Sequence, residues 1–350
     1  MNFDLMRLIA AVLVVVSHTF PLAGQAPLTI RGVEDLGALG VSVFFVISGY
    51  LVTGSYERDP RSYLFKRLLR IEPGLIASLV VTVILLASVT TASQAEYWRG
   101  AALYVVRNAL LYPATYELPG VFADAPHAGV VNGVLWTLRL EFTFYLVLML
   151  IRANLKRIIA LAAVCACGWL ALAFALPGWA DQQWSRIAVL AARNGFLFFA
   201  GSALWLTRAQ VPLWLGGVSA LAFPLIGPLA LPTAVLGLAR SGRLPADLSY
   251  GVYIYAFPIQ QQLALMGQLN VATAMLTVLP FAAASWFLVE KPALRLKARA
   301  APLTAARDQP AKIGLDAPPA KPDADRHAEA REKQQHGHGA RPARTTIEAG

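Results

Sequence analysis

The feature that most constrains the fold is a series of apolar runs, each about 17 to 20 residues long, separated by short polar stretches. A run of this length crosses a hydrocarbon core of about 30 Å as an α-helix. Backbone polar groups cannot stay unpaired in lipid, and the alternating pattern of a membrane β-barrel is absent from the sequence. Only 14% of the residues are charged, against roughly 25% in an ordinary soluble domain. The sequence therefore predicts an all-α polytopic membrane protein.

The apolar runs predict about ten transmembrane helices. The stretch 211–241 is too long for one span and is predicted to form a hairpin of two short spans, because it contains the helix breakers Pro224, Gly227, Pro228 and Pro232. The other predicted spans are single runs at about 5–22, 36–54, 73–92, 133–152, 157–176, 187–207, 248–266 and 271–289.

The orientation follows from the positively charged loops, since Lys and Arg are retained on the cytoplasmic side. Lys and Arg are concentrated in the loops of one side only if 97–113, which carries Arg99, Arg107 and Asn108, does not cross the membrane. We therefore expect this segment to be an amphipathic or re-entrant piece on the outer face, and both termini to be cytoplasmic. The loops then assigned to the cytoplasm carry Arg58, Arg61, Lys66, Arg67, Arg70, Arg152, Lys156, Arg157, Arg208, Arg240, Arg243, Lys291, Arg295, Lys297 and Arg299.

The composition changes abruptly near residue 298, to Ala, Pro and charged residues. Such a segment cannot bury enough apolar surface to fold, so 298–350 is predicted to be a disordered cytoplasmic tail that follows a membrane domain at 1–297. His336 and His338 in the tail are interpreted as solvated residues, and no metal site is expected. The net charge of +10 fits the predicted orientation in the lipid bilayer, and no nucleic-acid partner is expected.

Three ionisable residues inside predicted spans are candidate catalytic residues, because such side chains are costly in lipid. Arg7 and His18 are eleven residues apart, which places them on one helix face with a rise of about 16 Å. Glu141 lies in the span 133–152, at a depth predicted to match that of His18. A carboxylate that orients an imidazole is the pair that hydroxyl activation needs.

Each of these residues also has a structural interpretation. Arg7 can be a boundary charge that extends to the lipid surface, and His18 can be a core histidine. Glu141 can be the partner of a structural arginine, the candidates being Arg139, Arg193 and Arg7.

A cluster of positive charge precedes the third predicted span. Arg67 and Arg70 are three residues apart and hence neighbours on a helix face, with Lys66 beside them. Paired arginines suit the phosphates of a nucleotide-containing acyl donor, although cytoplasmic retention of positive charge also explains them. The residues alone thus allow a membrane enzyme or a transporter.

Short motifs follow one another along the chain, and together they carry a resemblance. They are Phe3-Asp4-Leu5-Met6-Arg7 with His18, Phe44 to Tyr50, Lys66 to Pro73, Leu135 to Tyr145, Leu248 to Tyr255, and Glu290-Lys291-Pro292. In this order they resemble the acyltransferase 3 family of membrane O-acyltransferases, over essentially all of residues 1–297.

The resemblance implies a ten-helix bundle in the bacterial inner membrane. It would transfer an acyl group, usually acetyl from acetyl-CoA, to hydroxyl groups of lipopolysaccharide, exopolysaccharide or a similar glycan. Acetyl-CoA is then a co-substrate, and no cofactor is bound permanently. The implied roles are catalysis for His18, Arg7 and Glu141, donor binding for Arg67, Arg70 and Lys66, and motif positions for Asp4, Ser48, Gly49, Trp136, Tyr145, Tyr250 and Glu290. For Ser48 and Gly49, close helix packing by small residues is the favoured interpretation.

The chain departs from the family pattern at Ala256, where many relatives carry a histidine, and this gives His18 additional weight. Since only the polar tail follows the last predicted helix, an acceptor that requires a hydrolase-like domain would need a periplasmic partner protein. The competing interpretation is a proton-coupled transporter or flippase of a glycan or small anion, because buried Arg, His and Glu also occur in such carriers.

Overall fold

The computed structural model describes residues 3–30, 34–112, 114–123, 125, 127–175, 183–239 and 244–296. The tail predicted for 298–350 lies outside these residues. The described chain is mostly helical. Its α-helices are α1 (Asp4–Leu22), α2 (Leu36–Arg58), α3 (Tyr63–Leu86), α4 (Gln94–Ala109), α5 (Leu135–Leu150), α6 (Leu155–Leu170), α7 (Gln183–Leu206), α8 (Leu213–Ile226), α9 (Leu231–Leu238), α10 (Ser249–Leu265) and α11 (Val271–Ser285).

Seven helical segments of the described chain are long and apolar enough to cross a membrane. Two further helices in predicted spans, α5 and α10, have 16 and 17 residues. The protein is therefore a multi-pass, mostly helical membrane protein. The seven segments are Asp4–Leu22, Leu36–Arg58, Tyr63–Leu86, Leu155–Ala173, Arg186–Leu206, Leu213–Leu238 and Val271–Leu296. Two-residue strands β1 (Thr29–Ile30) and β2 (Glu34–Asp35) pair antiparallel before α2.

The third helix begins ten residues before the predicted span at 73. Helix α3 starts at Tyr63 and contains Pro73 in its interior. A proline interrupts one backbone hydrogen bond, and here the flanking residues keep the helix continuous. Arg67 and Arg70 consequently lie on the first turns of a long helix and not in a loop.

The hairpin predicted for 211–241 is present. Helices α8 and α9 are joined by a 3₁₀ turn at Gly227–Ala230, where Gly227 has a φ of +56°. A Cβ atom on Gly216 of α8 would lie 2.6 Å from the Cα atom of Gly237 of α9. Twenty-one residues of continuous helix would separate these two glycines by about 32 Å. The segment Leu213–Leu238 is therefore folded back on itself, although its length alone would suffice for one span.

The segment 97–113 forms most of α4, which packs against the end of α3. The hydroxyl group of Tyr97 donates a hydrogen bond to the carbonyl oxygen of Val83, at 2.5 Å. Arg99 and Arg107 remain on the helix surface, and α4 is not among the segments suited to crossing a membrane.

Close approaches at glycines hold α2 at the centre of the bundle. A Cβ atom on Gly40 would lie 2.4 Å from the carbonyl oxygen of Ala10 in α1, and one on Gly49 would lie 1.9 Å from that of Phe198 in α7. Small residues allow helix backbones to approach in this way. The packing role predicted for Gly49 is therefore what the structure shows.

Candidate functional site

A cavity of about 490 Å³ lies among α1, α2, α3, α5 and α10. Along α2 its lining extends from Val41 to Arg58, a helix rise of about 26 Å. One end is rich in arginine, and the other is mostly apolar. The lining side chains used below are Asp4, Arg7, Val41, Phe44, Phe45, Ser48, Ser55, Arg58, Arg67, Arg70, Thr137, Leu138, Glu141, Tyr145, Asp247, Tyr250, Tyr253 and Trp286.

The arginine-rich end is built around one carboxylate, that of Asp247. Its Oδ2 atom lies 2.5 Å from Nη2 of Arg70 and 3.6 Å from Nη1 of Arg7. Burial opposes ionisation of Asp247, but the charges of Arg70 and Arg7 outweigh burial and lower the pKa of this carboxyl group. Asp247 was missed in the sequence, where the only signal was a carboxylate directly before the Leu248-Ser249-Tyr250 motif.

Arg67 completes the predicted pair on α3. Its Nη2 atom donates to Oγ of Ser55 at 3.4 Å, and its Nε atom is buried without a hydrogen-bond partner in the described part of the chain. Arg67 and Arg70 thus face the same cavity, as their spacing predicted. Lys66 does not line it: its ammonium group pairs with Asp59 at 2.6 Å, between α2 and α3.

A hydroxyl and carboxylate cluster lies beside the arginines. One carboxylate oxygen of Glu141 accepts a hydrogen bond from Ser48 Oγ and another, at 2.5 Å, from the hydroxyl group of Tyr145. The Ser48 and Tyr145 oxygens are 3.1 Å apart, and Tyr63 donates to the Tyr145 carbonyl oxygen at 3.1 Å. Ser48 therefore has a polar role in addition to the predicted packing role.

His18 lies at a different level of the bundle. Its ring packs edge-on against Phe257 at 5.2 Å, and its Nδ1 atom is buried without a hydrogen-bond partner among the described residues. The preceding residue, Ser17, donates to Asp35 at the start of α2. His18 is not among the residues that line the cavity.

The prediction that Glu141 and His18 share one depth is wrong. Glu141 contacts α2 at Ser48, whereas His18 lies at the level of Asp35, the residue that precedes α2. The helix rise from Asp35 to Ser48 is about 20 Å. The cause is the segment before α5, which folds into the bundle and buries Val131 and Val134. Residue 133 is therefore not at the outer surface, and Glu141 is not positioned to orient the imidazole.

The remaining motif residues support the walls of the site. Tyr250 lines the cavity and donates to the carbonyl oxygen of Ile71 at 2.8 Å, and Asp4 lines it next to Arg7. Glu290 is buried in a π-helical turn, Trp286–Glu290, where it accepts from Ser285 at 2.9 Å. Its other carboxylate oxygen has no partner in the described chain. Trp136 is half-buried in the first turn of α5.

The three candidate structural partners of Glu141 have contacts elsewhere, and that of Arg7 is the pair with Asp247. Arg139 donates to the hydroxyl group of Tyr116, and its guanidinium lies 5.2 Å from that ring. Arg193 donates to Ser42 Oγ at 2.6 Å.

Comparison with known proteins defines the class. The chain belongs to the acyltransferase 3 family, whose acyltransferase-domain model matches residues 2–205. It is therefore a multi-pass membrane acyltransferase. It is 31% identical to an "O-acetyl transferase" of Shigella phage Sf6 over 324 residues, covering 83% of this chain and 94% of that protein. It is 32% identical to "Nodulation protein 10" of Rhizobium leguminosarum bv. viciae over 354 residues, covering 85% and 94%. No solved structure matches the chain.

Proposed function

We propose that this acyltransferase moves an acetyl or other short acyl group from acyl-CoA to a hydroxyl group of a cell-surface glycan. The observation that carries the proposal is the cavity with arginines at one end and apolar side chains at the other. An acyl-CoA molecule has the same polarity, with phosphates at one end and a short acyl thioester at the other. The name of the phage relative, an O-acetyl transferase, supports the acetyl group.

The donor's phosphates bind Arg7, Arg67 and Arg70 in this proposal. Guanidinium groups pair with phosphate oxygens through two parallel hydrogen bonds. The unpartnered Nε atom of Arg67 is a hydrogen-bond donor available for such a ligand.

The length of the donor fits the separation between the arginines and His18. The rise from Arg7 to His18 along α1 is about 16 Å. The extended pantetheine arm, with bonds of about 1.5 Å, has a length on the order of 16 Å. The apolar end of the cavity at Val41 is about 9 Å of helix rise from Asp35, at the level of His18. A donor held by the arginines thus points its thioester towards the level of the imidazole, and the apolar end of the cavity must extend by this distance for the two to meet.

His18 serves as the general base. Its unprotonated nitrogen takes the proton of the acceptor hydroxyl group while that oxygen attacks the thioester carbonyl carbon. The C–S bond breaks, and the leaving thiolate receives the proton from the imidazolium. The acceptor approaches from the side opposite the arginines.

The same proposal gives the orientation in the membrane. The arginine end faces the cytoplasm, where acyl-CoA is made, and both termini are cytoplasmic, in agreement with the distribution of loop Lys and Arg. The membrane is the bacterial inner membrane, the acceptor is a glycan or glycolipid, and a periplasmic partner protein assists where the acceptor requires it.

The test is transfer of label from acetyl-CoA to polysaccharide in membranes that contain the protein. Wild-type membranes are expected to label the glycan, and His18→Ala membranes are not, at equal levels of inserted protein. A transporter or flippase would move its substrate without covalent labelling. Labelled glycan from His18→Ala would refute the assigned role of His18, and the absence of label with every acceptor would refute the proposed function.

A further inference from the structure

Two hydroxyl groups, those of Tyr253 and Thr137, interrupt the apolar end of the cavity. Tyr253 of α10 lines the cavity together with Phe44 and Leu138, and its side chain is otherwise buried. Its ring packs edge-on against Phe44 at 5.5 Å. The Tyr253 oxygen lies 2.7 Å from Oγ1 of Thr137 in α5. A phenyl ring could make the contact with Phe44, but only the hydroxyl group can bond to Thr137.

The direction of this hydrogen bond follows from the other contact of Thr137. The hydroxyl group of Thr137 donates to the carbonyl oxygen of Val134 at 2.9 Å. Because a threonine has one hydroxyl proton, Tyr253 is the donor in the pair with Thr137. Thr137 thus holds the phenolic proton in a fixed orientation at the cavity wall.

The position of Tyr253 lies between the two parts of the site. Tyr250, three residues earlier on α10, contacts Ile71 near the arginines, and Phe257, four residues later, contacts His18. Residues three and four apart lie on one helix face, and four residues rise about 6 Å. Residue 253 is therefore about one helical turn along α10 from the residue that packs on His18.

We propose that Tyr253 is a catalytic residue that stabilises negative charge on the thioester carbonyl oxygen. This inference rests on the proposed function, since it requires acyl-CoA in the cavity. When the acceptor oxygen forms its bond to the carbonyl carbon, the carbonyl electron pair moves to oxygen. The phenolic O–H then turns from Thr137 to that oxyanion. The electron pair returns as the C–S bond breaks, and Tyr253 keeps its proton throughout.

A preorganised donor acts on the transition state more than on the ground state, so its loss lowers kcat and leaves KM nearly unchanged. Tyr253→Phe keeps the ring and its contact with Phe44. It is expected to lower kcat for acetyl transfer by about 10²- to 10³-fold, the cost of removing one oxyanion donor in other enzymes. The KM for acetyl-CoA and its equilibrium binding are expected to stay within about two-fold, because the arginines are untouched.

Tyr255→Phe is the matched control. Tyr255 is a buried tyrosine of the same helix, stacks on Phe281 at 6.0 Å, and is not among the cavity-lining residues. Its variant is expected to keep wild-type kcat. Equal kcat values for Tyr253→Phe and Tyr255→Phe would overturn the inference, as would a rise in KM that accounts for the whole loss.

Thr137→Val gives an independent measurement if Tyr253→Phe does not fold. Thr137 is a positioning residue, so this variant is expected to lower kcat by about ten-fold at unchanged KM, and an unchanged kcat would overturn the inference. Failure of the proposed function is distinguishable, because wild-type protein would then transfer no acetyl group from acetyl-CoA at all.

Discussion

The carboxylate of Asp247 lies 2.5 Å from the guanidinium group of Arg70, with the guanidinium of Arg7 at 3.6 Å. A single residue of the segment before α10 thereby joins the first turn of α1 to the second turn of α3. The contact lies at the arginine end of the cavity, and it makes the geometry of the proposed phosphate site depend on a residue that belongs to neither helix.

Asp247→Asn is expected to destabilise the protein. The side chains of Asp247 and Arg70 are 12% and 21% exposed, between a surface pair and a buried one, so the expected loss is about 1–3 kcal/mol. Thermal unfolding in detergent measures it. Asp59→Asn is the control, because the Asp59 carboxylate is more exposed, at 28%, and pairs with Lys66. A larger loss for Asp59→Asn would contradict the assignment.

The same pair predicts a dependence of stability on pH. The folded-state pKa of Asp247 is lowered despite burial, because Arg70 and Arg7 favour the ionised carboxylate. Its contribution is fully present above the unfolded-state pKa of about 3.9 and is lost as the pH falls through the lowered folded-state pKa. The difference in melting temperature between wild type and Asp247→Asn should be constant from about pH 7 to 5 and shrink below about pH 4. A difference that persists undiminished at low pH would count against the ion pair.

Arg67→Lys is expected to weaken the binding of the acyl donor. A lysine keeps the charge but loses the planar pair of donors, so the KM for acetyl-CoA should rise about ten-fold, equivalent to roughly 1.4 kcal/mol. Steady-state kinetics in membranes measures it. Arg208→Lys is the control, since Arg208 is largely exposed and pairs with Glu57 at 2.8 Å. If both variants raise KM equally, Arg67 does not bind the donor.

Gly49→Ala is expected to disrupt the packing of α2 on α7. The added Cβ atom would lie 1.9 Å from the Phe198 carbonyl oxygen, which belongs to backbone and cannot rotate away. The helices must separate, at a cost of about 1–3 kcal/mol or more. Gly217→Ala is the matched control, because a Cβ atom there meets nothing within 4 Å. Melting temperatures of the two purified variants should differ clearly, and equal values would contradict the close approach.

Glu141→Gln is expected to retain the fold and the pH profile of acyl transfer. The amide oxygen can still accept from Ser48 and Tyr145, and Glu141 is about 20 Å of helix rise from the level of His18. In Glu141→Leu the Ser48 and Tyr145 hydroxyl groups, whose oxygens are 3.1 Å apart, can still bond to each other, but one of the two buried donors is left without an acceptor, at a cost of about 1–3 kcal/mol. A displaced pH profile in Glu141→Gln would restore the coupling to His18 that the sequence suggested.

The sequence predicted what depends on local periodicity and composition. The shared cavity of Arg67 and Arg70 follows from their spacing, and the hairpin follows from prolines and glycines within one apolar stretch. Predictions from the sequence were wrong where the position of a residue depends on long-range packing. The predicted span begins at residue 73, ten residues after the start of α3, because the apolar run covers only the later part of that helix. Glu141 is predicted too near the level of His18 because the folded-in segment before α5 leaves no local signal. The contact of Asp247 with Arg70 joins residues 177 positions apart.

The hairpin of α8 and α9 also determines whether this segment crosses the membrane an even or an odd number of times. A segment that turns back at Gly227 contributes an even number of membrane crossings, whether its arms traverse the bilayer or enter it only partly. We therefore expect the chain to emerge before α10 on the side of the membrane on which α7 ends. A single straight helix over Leu213–Leu238 would have carried Asp247 to the far leaflet, where it could not reach Arg70. Reporter fusions placed in the α7–α8 and α9–α10 connections should accordingly give the same sidedness.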